Sequence, residues 1–188
     1  MAKAVVFLGE GFEEIEALTV VDVLRRGQIE CHMCSLKGAS VKGAHKIEVK
    51  TDMSIEEFNE DEYDAIILPG GMPGADNLKH CSKVIETIKS FNEKGKLICA
   101  ICAAPMVLGY SNILQGVNAT CYPGFEEYLN GANYEDKKVV VSNNIITSKG
   151  PATAMYFALE ILKKLASEEI AKGHKDSMMV TFMEQSKE

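Results

Sequence analysis

The sequence predicts one α/β domain built on a largely parallel sheet with helices on both faces. Short β-branched runs alternate with helical patterns along the chain. The runs are apolar at consecutive positions, as strands buried on both faces are. No stretch reads as a linker, repeat or low-complexity tract, so residues 1–188 form a single domain with its core over about 3–166.

The first run, Ala4-Val5-Val6-Phe7-Leu8, leads into a helical pattern over 13–26 and then a strand over 29–36, a βαβ unit. Residues 40–52 alternate weakly and form a small excursion from the main sheet. A buried-type strand at 63–68 precedes Pro69-Gly70-Gly71 and helical material to about Glu93. The pattern repeats at 96–101, after which Ala103-Ala104-Pro105 opens a helix, since proline suits a helical first turn. Residues 139–142 and 145–148 flank Asn143-Asn144, a tight hairpin because Asn tolerates positive φ. A last helix runs over about 153–166, and a polar tail follows.

Composition narrows the function classes. The formal net charge is −7, so the summed field repels nucleic acid and anionic lipid. No apolar run reaches the roughly 20 residues of a membrane helix, and Met1-Ala2-Lys3 enters the first strand without a cleavage-site pattern, which points to the cytoplasm. The six cysteines read as reduced thiols, because a chain this long needs no disulfide staples.

Open parallel sheets carry their sites in loops at the carboxyl ends of strands. Three loops qualify, after Leu8, after Leu68 and after Ile101. Cys102 stands where a buried strand meets a helix start, a turn whose amides and dipole favour thiolate. An inert buried cysteine is the bland alternative. Glu16 lies within a helix that is apolar on most of its circumference, and a carboxyl in a dry setting tends to be protonated and able to pass on its proton. Glu13 and Glu14 read as water-facing first-turn carboxylates. Gly70 and Gly71 offer bare backbone that could approach a ligand and stabilise an oxyanion, although a plain tight turn would show the same residues.

Other motifs are set aside. Cys31 with Cys34, and Cys99 with Cys102, have C-x-x-C spacing, but residues three apart on a strand point to opposite faces. His32, His45, His80 and His174 show no mutual ligand spacing, so no metal is expected. Neither Gly9-Glu10-Gly11 nor Gly70-Gly71-Met72-Pro73-Gly74 makes a nucleotide-binding loop, so no cofactor is implied. Cys81 and Cys121 have no assignable partner.

Four segments together resemble the DJ-1/ThiJ/PfpI superfamily, most closely its DJ-1-like branch. They are Gly11-Phe12-Glu13-Glu14-Ile15-Glu16, Asp64-Ala65-Ile66-Ile67-Leu68-Pro69-Gly70-Gly71, Ala100-Ile101-Cys102-Ala103-Ala104-Pro105 and Thr147-Ser148-Lys149-Gly150-Pro151-Ala152-Thr153-Ala154. The resemblance implies a flavodoxin-like three-layer sandwich, a homodimer, and a reactive cysteine beside a protonated glutamate, here Cys102 and Glu16. It also implies an oxyanion pocket of amides at Gly70, Gly71 and Ala103. Family activities include glutathione-independent glyoxalase, protein deglycase, redox-responsive chaperone and, in other branches, protease or amidase; family naming also includes thiamine synthesis. Many relatives carry a histidine beside the cysteine where this chain has Tyr122, within Thr120-Cys121-Tyr122-Pro123. A phenol titrating near 10 is a poor base at neutral pH, which argues against a Cys-His hydrolase. His45 falls near the position of a dimer-mate arginine that helps bind anions in relatives.

Two functions follow from this reading. In one, Cys102 and Glu16 act on a small-molecule carbonyl substrate, a 2-oxoaldehyde. In the other, the protein is a non-catalytic redox sensor or chaperone that signals through oxidation of Cys102.

Overall fold

The computed structural model describes residues 2–186. In chain order its elements are β1 (Lys3–Leu8), α1 (Glu14–Arg26), β2 (Glu30–Ser35), β3 (Ser40–Lys42), β4 (Glu48–Lys50), β5 (Met53–Ser54) and β6 (Ala65–Leu68). Next come α2 (Gly74–Lys79), α3 (Ser82–Glu93), β7 (Leu97–Ile101), α4 (Pro105–Tyr110), β8 (Asn118–Ala119) and β9 (Asn133–Tyr134). The chain closes with β10 (Val139–Ser142), β11 (Ile145–Ser148), α5 (Ala154–Leu165), α6 (Glu168–Ser177) and α7 (Val180–Gln185).

Seven strands form the main sheet in the order β10-β11-β7-β6-β1-β2-β5. All its pairings are parallel except the β10–β11 hairpin at one edge, where Asn143 adopts φ 54°. The chain starts in the middle at β1, steps to β2 on one side, then crosses to β6 and β7 on the other. The order therefore reverses between β1 and β6, where a crevice opens outside the strand ends.

Alternate side chains of each strand feed separate cores. Ala4, Val6 and Leu8 pack with α1 and α5, whereas Val5 and Phe7 pack with α2, α3 and α4. Three layers result, with the sheet in the middle. Cys31 lies in the first core and Cys34 in the second, so the strand pleat separates the sulfurs.

The structure makes two expectations more specific and revises a third. The material after Gly71 is two helices, broken at His80-Cys81, with Cys81 in extended conformation just before α3. The excursion over 40–52 is the β3–β4 hairpin, and β5 then adds a short parallel strand to the sheet edge. The polar tail is instead two helices: Ala171 of α6 and Val180 of α7 are buried in the α1–α5 core. Sparse apolar spacing hid them, since one anchor in each helix suffices for docking. Among the described residues, no helix is long and apolar enough to cross a membrane.

Candidate active site

The three loops expected to carry chemistry converge at the carboxyl ends of β1, β6 and β7. Glu13 donates its amide to the Gly70 carbonyl (2.9 Å), which ties the first loop to the second. Cys102 donates its amide to Ser148 O (2.9 Å) and accepts from the Tyr122 amide (2.9 Å), which fixes the third. Held this way, Cys102 adopts φ 65°. A non-glycine residue in that region is strained by roughly 1–2 kcal/mol, and such strain persists only where surrounding bonds impose it.

Glu16 is fully buried on α1. Its Oε2 accepts the Gly70 amide at 2.7 Å, while Oε1 has no nitrogen or oxygen partner. Burial pushes the carboxyl up to about 7, against opposing contributions from the Gly70 amide and the Cys102 thiol. A carboxyl with one oxygen receiving an N–H and the other unpaired carries its proton on the unpaired oxygen. The Cys102 thiol is the other polar group beside this carboxyl.

Burial pushes the Cys102 thiol up, a charged Glu16 pushes it further, and the Ala103 and Gly71 amides pull it down. The expected help from a helix dipole is small, because α4 has only six residues. The two acids instead divide one proton between them. Burial pushes both groups up, so the pair holds its last proton, and the Gly71 and Ala103 amides are what favour the charged form of the sulfur.

Gly70 is the spacer of this cradle. A Cβ there would lie 2.7 Å from Cys102 Cβ, 2.8 Å from Glu16 Oε2 and 3.0 Å from the Ala103 nitrogen. Its amide is already given to Glu16, so the amides left at the sulfur are those of Gly71 and Ala103. Gly71 adopts φ 81°, which few side chains tolerate. Tyr122 reaches Cys102 through its backbone, and its ring is half exposed beside Gly150.

Two first-turn residues depart from expectation. Glu13 and Glu14 are 9% and 4% exposed rather than water-facing, because the β3–β4 hairpin folds over them. His45, on that hairpin, places Nδ1 2.9 Å from Glu14 Oε2 within its own chain. Ser148 and Thr147, which hold Cys102 and its neighbouring loop, were visible in the sequence only as part of a motif. Thr147 Oγ1 accepts the buried Thr120 amide at 2.9 Å.

This arrangement defines an α/β protein with a strained cysteine elbow and a proton-bearing carboxyl beside the sulfur. Comparison with known proteins makes the class specific. The DJ-1/PfpI family model matches residues 2–164, and the chain belongs to that family. It is 39% identical to protein dj-1beta of Drosophila melanogaster, covering 91% of this chain and 95% of that protein. It is 35% identical to the Parkinson disease protein 7 homolog of Danio rerio, covering 90% and 92% respectively. Among solved structures, oxidized DJ-1 of Toxoplasma gondii superposes with a TM-score of 0.91 at 36% identity, over 95% of this chain and 98% of that one.

Proposed function

We propose that this is a cysteine-dependent protective protein of DJ-1 type that converts small 2-oxoaldehydes to 2-hydroxy acids. The carrying observation is the buried Glu16 carboxyl, whose Oε1 has no nitrogen or oxygen partner and which lies beside the Cys102 thiol. Cys102 thiolate adds to the aldehyde carbon, giving a hemithioacetal whose oxyanion faces the Gly71 and Ala103 amides. Glu16 gives its proton to that oxyanion and, as the carboxylate this leaves, takes the proton from the carbon and returns it to the neighbouring carbon, while the hydroxyl proton of the first carbon passes to the oxygen of the second. The first carbon is oxidised to a thioester as the second is reduced to an alcohol, so no external redox partner enters. Water then cleaves the thioester and restores the thiol. Purified protein should form lactate from methylglyoxal, and a rate no higher than that of Cys102→Ala would refute the assignment.

A second reading has its own support. Toxoplasma DJ-1 is known in an oxidized form, and a protonated Glu16 could donate to an oxidised sulfur as it does to a thiolate. Under mild peroxide, intact-mass analysis should then show two added oxygens on Cys102, with over-oxidation in Glu16→Gln. Equal modification of all six cysteines would count against it.

A homodimer fits Ile15, Ile47 and Met72, each about half exposed on segments bordering the site. Light scattering that gave a monomer mass would overturn it. A cytoplasmic location accords with this chemistry, and fractionation tests it.

A further inference from the structure

We propose that a cavity at the carboxyl ends of β1 and β2 binds a small zwitterion, a free α-amino acid with an apolar side chain. The cavity measures about 570 Å³ and lies between Leu8, Leu36 and Val41 on one side and the end of α2 on the other. Its size falls within the roughly 300–1,000 Å³ of small-molecule sites. In the sheet order β7-β6-β1-β2 it stands on the far side of β1 from the Cys102 elbow. It shares no lining residue with the Cys102–Glu16 pair, nor with Ile15, Ile47 and Met72 of the proposed homodimer contact. Binding there does not depend on the proposed activity.

The strand ends make the floor apolar. Leu36 donates its amide to Leu8 O at 3.1 Å, which closes the gap between β1 and β2, and Leu8 and Val41 are buried. Such a floor takes a hydrocarbon side chain. Charges of both signs line the walls: Glu10 from the loop after β1 and Lys37 from the turn after β2. Neither makes an ion pair with the other or with any other described residue. One unpaired surface charge is ordinary. Two of opposite sign on a single cavity, too far apart to join, select for a ligand that carries both. Glu10 repels a simple carboxylate and Lys37 a simple amine, whereas an amino acid offers its ammonium to the first and its carboxylate to the second.

The acidic end is held in place. Glu10 Oε2 accepts the Lys42 amide at 3.2 Å, and Asn77 Nδ2 donates to the Glu10 carbonyl at 2.9 Å, which ties this loop to α2. His80 lines the same wall and places Nδ1 2.8 Å from Asp76 O. A carbonyl only accepts, so Nδ1 bears the hydrogen and Nε2 is the ring nitrogen left to accept from an ammonium. Cys81, the remaining wall residue, is partly exposed and reports on whether the cavity is filled.

Titration calorimetry with L-leucine on the full chain tests the assignment, in a Cys102→Ser background that leaves Cys81 as the partly exposed thiol. One leucine per chain should bind and should slow iodoacetamide labelling of Cys81, which lines the cavity. Glu10→Gln and Lys37→Met should each weaken binding by about 10-fold. Both side chains are exposed, so far-UV circular dichroism should match the background. Isocaproate, which lacks the ammonium, and isoamylamine, which lacks the carboxylate, should lose about the same factor. L-serine should bind more weakly still, having no hydrocarbon for the floor. The proposal is overturned if leucine does not bind, if it binds without shielding Cys81, or if the two variants and the truncated ligands match the parent affinity.

Discussion

Replacing Glu16 by Gln should stabilise the protein above neutral pH and flatten its pH dependence. The carboxyl ordinarily titrates at 4.5 and is pushed up to about 7 by burial in the fold. A raised folded value means that the native state binds more protons than the unfolded chain between those two limits. Stability from this group is therefore present below 4.5 and is lost as pH rises through 7. At about 1.4 kcal/mol per unit, the loss between pH 5 and pH 8 amounts to roughly 2–3 kcal/mol. Gln keeps an oxygen for the Gly70 amide but carries no charge, so it escapes the loss. Thermal unfolding followed by circular dichroism at pH 5, 6, 7 and 8 provides the measurement, in a Cys102→Ser background that removes the thiol's own titration. The Cys102 interaction lowers the Glu16 value, so its removal does not diminish the shift. Relative to the Glu16 protein, Glu16→Gln should gain roughly 5–10 °C in Tm on going from pH 5 to pH 8. A difference independent of pH, or one that shrinks as pH rises, would show that Glu16 is an ordinary ionised carboxylate.

Further outcomes follow from the same geometry. Gly70→Ala should cost about 1–3 kcal/mol and suppress Cys102 alkylation, because the added methyl enters the space between Cys102 and Glu16; unchanged Tm and labelling would contradict the packing. Thr147→Val should cost about 1–3 kcal/mol in urea unfolding by leaving the buried Thr120 amide without its acceptor, and an unaltered midpoint would mean another group takes over. Cys102→Gly should be more stable than Cys102→Ala if the φ of 65° is strained, the difference being about 1 kcal/mol before the greater freedom of unfolded glycine is subtracted. Iodoacetamide under native conditions should label Cys102 and Cys81 ahead of the rest, since these two are partly exposed whereas Cys31, Cys34, Cys99 and Cys121 are buried. Uniform labelling by peptide mapping would count against it.

The parallel sheet was legible because its strands are buried on both faces, and a run such as Ala4-Val5-Val6-Phe7-Leu8 has few other readings. Cys102 and Glu16 could be singled out for related reasons: a cysteine at a strand–helix boundary and a carboxyl in an apolar helix each break a local pattern. What the sequence could not disclose was long-range. Glu13 and Glu14 have the spacing of solvent-facing first-turn residues, and only the hairpin bearing His45 and Ile47, some thirty positions on, buries them. The elements α6 and α7 were lost for the opposite reason, as each docks through few apolar side chains on an otherwise polar surface.

The protonation of the site depends on more than the turn that carries the cysteine. A turn at a helix start suggested a thiol made acidic by the helix dipole, yet α4 is short and the Cys102 sulfur is partly withdrawn from water beside another acid. Burial disfavours two charges there far more than one. The pair is therefore best treated as a unit holding a single negative charge near neutrality, with Glu16 poised near pH 7 to keep or release the remaining proton. Carbonyl chemistry requires that proton to move between neighbouring carbons, whereas stabilisation of an oxidised sulfur requires it to stay. The retained proton is common to both, and its release distinguishes them: Glu16→Gln should abolish turnover on a 2-oxoaldehyde while leaving Cys102 open to oxidation by peroxide.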